Sequence, residues 1–416
     1  MTYAFAMSFA AQIYTAVIGI LLMPIYLHRM GAEAFGLIGF YIMLQAWFQL
    51  IDFGLSPAFS REMSLYAAGE QNAYEVNTRL KSLEWLLGSL ALLIIIVLIP
   101  MRHLIASEWL NVKQLSLNNV ASCFSLMVIT AVTRWLMGVY RSGLIGIEKQ
   151  LWINCAGIIF ITIKFVGVLP LLIYYSSEPI VFFAHQAIIG VIELVIFWWK
   201  FHSALPRIKS RGLPDLKKIG SMMPLAGAMV FSTGIWIFMT QFDKMILSKT
   251  LSLEDYGYFT ISVALAGGIL TLLTPLNQVF QPRMTILFAQ GKIESLKELY
   301  LLLTQVITAA SFSIGGTISI FSESVLLAWT GNSEVVLKAG PILFWYGLAN
   351  SIVTVLLLPF LLQFSHGYLR LHVKGNLILS ILIFPILIYS SIHYGAVGCG
   401  IVLFSARFIF LFLWIP

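Results

Sequence analysis

Apolar residues along this chain come in long unbroken runs, separated by short polar stretches, with little of the two-residue alternation of a half-buried strand. About 20 consecutive apolar residues let a helix cross the hydrocarbon of a bilayer, and a helix satisfies its own backbone groups where no water is present. Runs of this kind cover residues 3–27, 35–58, 83–101, 118–140, 151–175, 180–201, 219–247, 256–281, 299–322, 337–364, 373–394 and 395–416. The pattern predicts an all-α integral membrane protein of about twelve transmembrane helices. The last two runs are joined tightly through HYGAVG. The first run has no small-residue cleavage site leading into soluble sequence, so it reads as the first anchor, not a signal peptide.

Composition sharpens this picture. The chain is 59% hydrophobic and only 10% charged, against about 25% charged in soluble globular chains. Its mean hydropathy is +0.91. The net charge of +7 would suit a nucleic-acid binder, but the basic residues are dispersed, with no basic tail and no DNA or RNA motif. Nucleic acid is therefore not an expected partner. The connecting loops are too short to fold a soluble catalytic domain, which favours a transporter over an enzyme. Cys123, Cys155 and Cys399 each lie inside an apolar run, without metal-ligand spacing or a disulfide pattern.

Orientation follows from the 25 lysines and arginines. With the N-terminus inside, Arg29, Arg102, Lys113, Lys249 and Lys338 fall in outer loops, and Arg134, Lys164, Lys244 and Arg407 fall within spans. The remaining sixteen sit at inner loops and helix ends, which predicts both termini in the cytoplasm.

The chain also resembles itself at a shift of about 222 residues. SREMSLYAAGE from Ser60 matches PRMTILFAQGK from Pro282, placing Arg61 on Arg283, Leu65 on Leu287, Ala67 on Ala289 and Gly69 on Gly291. Upstream, GAEAFGLIGF and SLEDYGYFTI align Glu33 with Glu254, Phe35 with Tyr256 and Gly36 with Gly257. Trp109 and Trp329 correspond as well. The shift spans six helices, an even number, so the copies enter the membrane in the same direction as a parallel repeat. This predicts a six-helix bundle at residues 1–201, a basic cytoplasmic linker at 202–218 and a second six-helix bundle at 219–416.

GAEAFGLIGFYIMLQAWFQLIDFGLSPAFSREMS resembles the N-terminal signature of bacterial polysaccharide flippases (Wzx-type), within the multidrug/oligosaccharidyl-lipid/polysaccharide exporter superfamily. GVYRSGLIGIEKQLWIN, QFDKMILSKTLSLEDYGYFTIS and LLTPLNQVFQPRMTILFAQGK resemble later segments of the same family. The resemblance implies a V-shaped pair of six-helix bundles in the bacterial inner membrane. Such a protein moves an undecaprenyl-pyrophosphate-linked oligosaccharide, an O-antigen, capsule or exopolysaccharide repeat unit, from the inner to the outer leaflet by alternating access. It also implies lipids as surroundings and a polysaccharide polymerase with its chain-length machinery as partners. A cation-coupled multidrug exporter of the same superfamily, and an integral-membrane polysaccharide polymerase, stay open as other readings. An acidic cavity would favour the exporter, and a large outer catalytic loop the polymerase.

No P-loop, nucleophile elbow, zinc-protease motif or paired loop carboxylates occur, so neither catalytic residues nor a cofactor or metal are expected. The informative residues are the charges within spans. Each costs about 2.5–3.5 kcal/mol at a helix centre and so faces a partner or a cavity. Arg134, Lys164, Asp243, Lys244, Asp52 and Arg407 are the candidates for a substrate path, and Glu193 for proton or ion coupling. A pyrophosphate-linked sugar is an anion, and a cavity carrying lysine and arginine would attract its head. Each has a plainer alternative. Arg134 could snorkel to the inner boundary, and Asp243 with Lys244 could form an interfacial pair. Asp52, beside a Gly and a Pro, could bond freed backbone amides. Lys164 on the fifth span and Glu193 on the sixth fall at nearly the same depth, which predicts a pair that serves either packing or the substrate path.

Overall fold

The computed structural model describes residues 2–205, 215, 220, 223–368 and 370–414, and its regular elements are helices, with no strand among these residues. In chain order they are α1 (Thr2–Met30), α2 (Ala32–Ile51), α3 (Leu55–Ala67), α4 (Ala73–Leu98), α5 (Leu117–Gly146), α6 (Gln150–Phe165), α7 (Leu169–Tyr174), α8 (Pro179–Ala204), α9 (Met223–Thr250), α10 (Leu253–Ala289), α11 (Ile293–Ile320), α12 (Ser322–Thr330), α13 (Ser333–Ser365) and α14 (Arg370–Leu413). Nine helical stretches among the described residues are long and apolar enough to cross a membrane. Most of the linker expected at 202–218, including Arg207, Lys209, Arg211, Lys217 and Lys218, lies outside the described residues.

Helix starts follow local chemistry. Asn72 caps α4 by accepting from the Tyr74 amide at 3.1 Å, and Ser116 caps α5 through the Asn119 amide at 3.2 Å. Ser252 caps α10 through the Asp255 amide, and Asn332 caps α13 through the Glu334 amide at 2.8 Å. Each side-chain oxygen takes up a donor that the first helical turn leaves free.

Four expected spans differ in detail. The second, 35–58, is two helices, because Phe53 (φ 48°) and Gly54 (φ 67°) take left-handed conformations between α2 and α3. The eleventh and twelfth form one helical tract, α14, bent where Gly395 (φ 60°, ψ −148°) leaves helical geometry. That residue stands at the boundary expected from the pattern. The fourth, 118–140, continues to Gly146. Arg141, one of the sixteen basic residues expected at inner loops and helix ends, therefore lies within the helix.

The chain packs as two compact units, residues 1–15 with 40–237 and residues 16–39 with 238–416. In the first, α5 is the central helix, packed on α3, α4 and α8. Glycine permits close approach here: a Cβ at Gly143 would stand 2.4 Å from the Phe201 ring, and one at Gly146 2.4 Å from the Ser60 carbonyl oxygen. In the second, α13 takes the central place against α10, α11 and α14. Ser262 donates to the Ala339 carbonyl at 2.8 Å and Ser311 to the Ser351 carbonyl at 3.0 Å, so small hydroxyls tie helix to helix.

The two segments matched in sequence after α3 and α10 end their helices in the same way. After α3, the amides of Ala68, Gly69 and Glu70 donate to the carbonyls of Ser64, Tyr66 and Leu65. After α10, those of Gln290, Gly291 and Lys292 donate to Ile286, Phe288 and Leu287. Every pair is related by 222 residues, and Gly69 (φ 81°) and Gly291 (φ 68°) both supply the left-handed turn.

Candidate functional site: a cavity with two guanidinium groups

The break between α2 and α3 builds one wall of the site. Asp52 accepts from the Ser56 amide at 3.1 Å and from the Ser56 hydroxyl at 2.6 Å, capping α3. Phe53 holds a left-handed conformation, which is costly for a bulky residue and persists only where the surroundings enforce it. Gly54 cannot carry a side chain, since its Cβ would stand 2.5 Å from the Ala226 carbonyl oxygen.

Beside this break lies a cavity of about 370 Å³, within the first unit. Its polar lining is Gln45, Gln49, Asp52, Ser56, Thr233, Arg134 and Arg141, and Trp135 and Phe48 contribute apolar surface. Arg134 and Arg141 are seven residues apart on α5, which puts them on one face about 10 Å apart along the axis. Both are exposed, and among the described residues neither has a carboxylate within ion-pair distance. They are close enough to repel one another. The Trp135 ring is buried, and its indole N–H has no acceptor among the described residues. The site is therefore rich in unsatisfied donors and positive charge.

The structure brings the candidate residues together in three groups. Asp52 and Arg134 share the cavity. Arg134 lies twelve residues from the end of α5, about 18 Å of helix, deeper than the expected span boundary suggested. Lys164 of α6 and Glu193 of α8 form an ion pair, with side-chain exposures of 13% and 10%. Gln186 donates to the Lys164 carbonyl at 3.0 Å. This pair is not part of the cavity lining, though Arg134 repels Lys164 and Glu193 attracts Arg141.

The third group lies in the second unit. Asp243 is buried and accepts from the Tyr346 hydroxyl at 2.7 Å. Lys244 lies 3.5 Å from the same carboxylate and also donates to the Thr240 carbonyl. Arg407 is buried, donates to the Asn350 side-chain oxygen at 3.2 Å, and is attracted by Asp243. The cluster joins α9, α13 and α14.

Sequence reasoning missed Arg141, Gln45, Gln49, Tyr346 and Asn350. A signal existed for the first three. Gln45, Gln49 and Asp52 recur at i, i+4 and i+7 on an apolar helix, and Arg134 with Arg141 at i and i+7. Tyr346 and Asn350 are one turn apart on α13 but resemble any polar residues there.

A family model described as "Polysaccharide biosynthesis protein" matches residues 4–288. No curated protein matches the chain. Several solved structures share its fold. An inward-facing multidrug resistance MATE family transporter of the MOP superfamily superposes with a TM-score of 0.74 at 15% identity, covering 96% of this chain and 93% of that one. The lipid II flippase MurJ, in an inward closed conformation, also gives 0.74 at 15% identity, covering 100% and 87%. A MOP superfamily transporter from Pyrococcus furiosus gives 0.64 at 16% identity, covering 99% and 94%.

Proposed function

Since the chain belongs to the polysaccharide biosynthesis protein family, we propose that it is a flippase that moves an undecaprenyl-pyrophosphate-linked oligosaccharide across a bacterial inner membrane. The repeat unit of an O-antigen, capsule or exopolysaccharide is the cargo, taken from the inner to the outer leaflet by alternating access of two repeat-related six-helix halves, residues 1–201 and 219–416. The observation that carries this reading is the guanidinium pair of Arg134 and Arg141. Two cations in one cavity, with no carboxylate at ion-pair distance among the described residues, suit a ligand that brings negative charge, and a diphosphate offers several acceptor oxygens for such donors. The N-terminus of α3 at the same cavity adds a favourable dipole.

Lys164 adds positive charge near the path, and Glu193 is the carboxylate that would take or release a coupling ion as the protein changes state. A cation-coupled drug exporter fits the cavity less well, because an organic cation would face two arginines.

Deletion tests the reading. The surface polysaccharide should disappear and its lipid-linked unit should accumulate on the inner leaflet, read by leaflet-resolved labelling. Normal arrival of the unit on the outer leaflet, in a strain with no second flippase, would sink it.

A further inference from the structure

A second cavity in the first unit, of about 270 Å³, lies between α4, α5 and α8. Leu136 and Val139 of α5 line it, and at 3.6 residues per turn they stand about 140–160° around the helix from Arg134 and Arg141. It is therefore separate from the cavity of the two arginines. Its α4 wall is open at Gly88, where a Cβ would meet nothing within 4 Å. Gly88 on α4 and Val195 and Trp198 on α8 are exposed, so the cavity is a groove open to the side. Leu92 and Ile96 follow Gly88 at four-residue steps, Val191 and Ile188 follow Val195 along α8, and all four are exposed. The helices run antiparallel here, so both apolar tracks lead the same way, deeper into the apolar runs. The opposite end of the groove is polar. Glu84 accepts from the Tyr140 hydroxyl at 2.9 Å, and His202 Nε2 stands 3.3 Å from the same oxygen, Oε1. His202 Nδ1 lies 3.0 Å from the Trp198 carbonyl oxygen, which only accepts, so Nε2 can donate to Glu84 only from the doubly protonated ring. Lys81 attracts the carboxylate at longer range. The other oxygen, Oε2, has no hydrogen bond among the described residues, and the Glu84 side chain keeps 27% exposure.

We propose that this groove binds one phospholipid with a primary ammonium head, a phosphatidylethanolamine. The ammonium bonds Glu84 Oε2, and an acyl chain lies along the exposed tracks of α4 and α8. Charge and donor chemistry select the head. A carboxylate among membrane-spanning helices needs a partner, and an ammonium brings both positive charge and N–H donors to the open oxygen. A quaternary choline has no N–H to give, and an anionic head is repelled. Size selects the kind of molecule. The cavity falls below the roughly 300–1,000 Å³ of sites that enclose a drug-sized ligand, so it takes part of a molecule whose remainder lies outside, and the apolar tracks receive that remainder. An acyl chain gains no hydrophobic energy by leaving the bilayer for protein, so the selectivity resides in the head. The site does not depend on what the protein transports.

The test titrates the full-length, lipid-stripped protein in detergent with dioleoyl phosphatidylethanolamine, phosphatidylcholine and phosphatidylglycerol, and counts bound lipid by native mass spectrometry. The first lipid bound should be the ethanolamine form, preferred about tenfold over each of the others, the scale of one charge-assisted hydrogen bond. Glu84→Gln keeps an acceptor for Tyr140 and should bring the three lipids to parity. Glu70→Gln, at an exposed loop position away from the groove, should leave the preference unchanged. Gly88→Phe fills the groove from the α4 side and should abolish the preference with Glu84 intact; it carries the test if Glu84→Gln does not stay monodisperse. Equal affinity for the three lipids in the native protein, or a preference that survives the groove variants, overturns the proposal. So does Glu84-dependent binding of tetraphenylphosphonium without binding of phosphatidylethanolamine, which would give the groove to a free organic cation. The readout is lipid binding and not transport, so its failure leaves the flippase reading standing.

Discussion

The cavity beside α5 and the cluster joining α9, α13 and α14 both place arginine among membrane-spanning helices, and they treat it in opposite ways. Arg407 is buried, with Asn350 as acceptor and Asp243 as counter-charge, and Asp243 is in turn bonded by Tyr346. That cluster is complete in itself. Arg134 and Arg141 are exposed to a cavity, repel one another and have no carboxylate at ion-pair distance among the described residues. A charge satisfied by its own chain serves the fold, whereas a charge left unsatisfied at the same kind of depth needs something from outside. Lys164 stands between the two cases, paired with Glu193 yet within the field of Arg134.

The contrast can be broken most forcefully at Arg407. Arg407→Leu leaves Asn350 without its donor and Asp243 with only Tyr346 and Lys244, and should destabilise the protein by about 3–5 kcal/mol, the scale of breaking a buried charged network. Thermal unfolding in detergent reads this; an unchanged midpoint would mean that the cluster does not hold the second unit together. Adding Asp243→Asn to that variant should recover part of the loss.

A smaller effect, about 3 kcal/mol, is expected for Lys164→Ala, because the pair is less completely buried. The charge swap Lys164→Glu with Glu193→Lys should regain the unfolding midpoint but not transport. Recovery of transport in the swap would show that the lysine is present only to pair.

At the cavity the sign reverses for stability. Arg134→Ala and Arg141→Ala remove a repulsion, so the midpoint should stay or rise. Binding of undecaprenyl diphosphate in nanodiscs should weaken by about 2 kcal/mol for each, roughly thirtyfold. Loss of folding without loss of binding would erase the distinction between the two regions.

The smallest effect belongs to Asp52. Asp52→Ala removes the cap of α3 and should cost about 1 kcal/mol, with faster hydrogen exchange at the Ser56 amide. Asp52→Asn, which keeps an acceptor, should exchange at nearly the original rate.

Much of this was legible in the chain. The depth match of Lys164 and Glu193 followed from counting residues along two adjacent spans, and the structure pairs them. The boundary between the last two runs was placed within the tight HYGAVG junction, where Gly395 leaves helical geometry. Arg141 was passed over as a site residue because it counted among the basic residues of inner loops and helix ends, and only the packed α5 shows it lining a cavity. The second span was drawn as one run because Asp52, Gly54 and Pro57 interrupt the hydrophobicity only briefly, but the Gly and Pro beside Asp52 already pointed to freed backbone amides, and Asp52 bonds one at Ser56.

Apolar run length and the placement of basic residues are local quantities, and the bilayer acts on them segment by segment. The sequence alone therefore determined that the chain spans a membrane as helices, and its self-similarity raised the expectation of two related sets. Partnership is not local. Whether a charge inside a helix is satisfied depends on which helices pack beside it and how closely their backbones approach. Only the tertiary structure decided that Asp243 meets Tyr346 while Arg134 and Arg141 are left to a cavity.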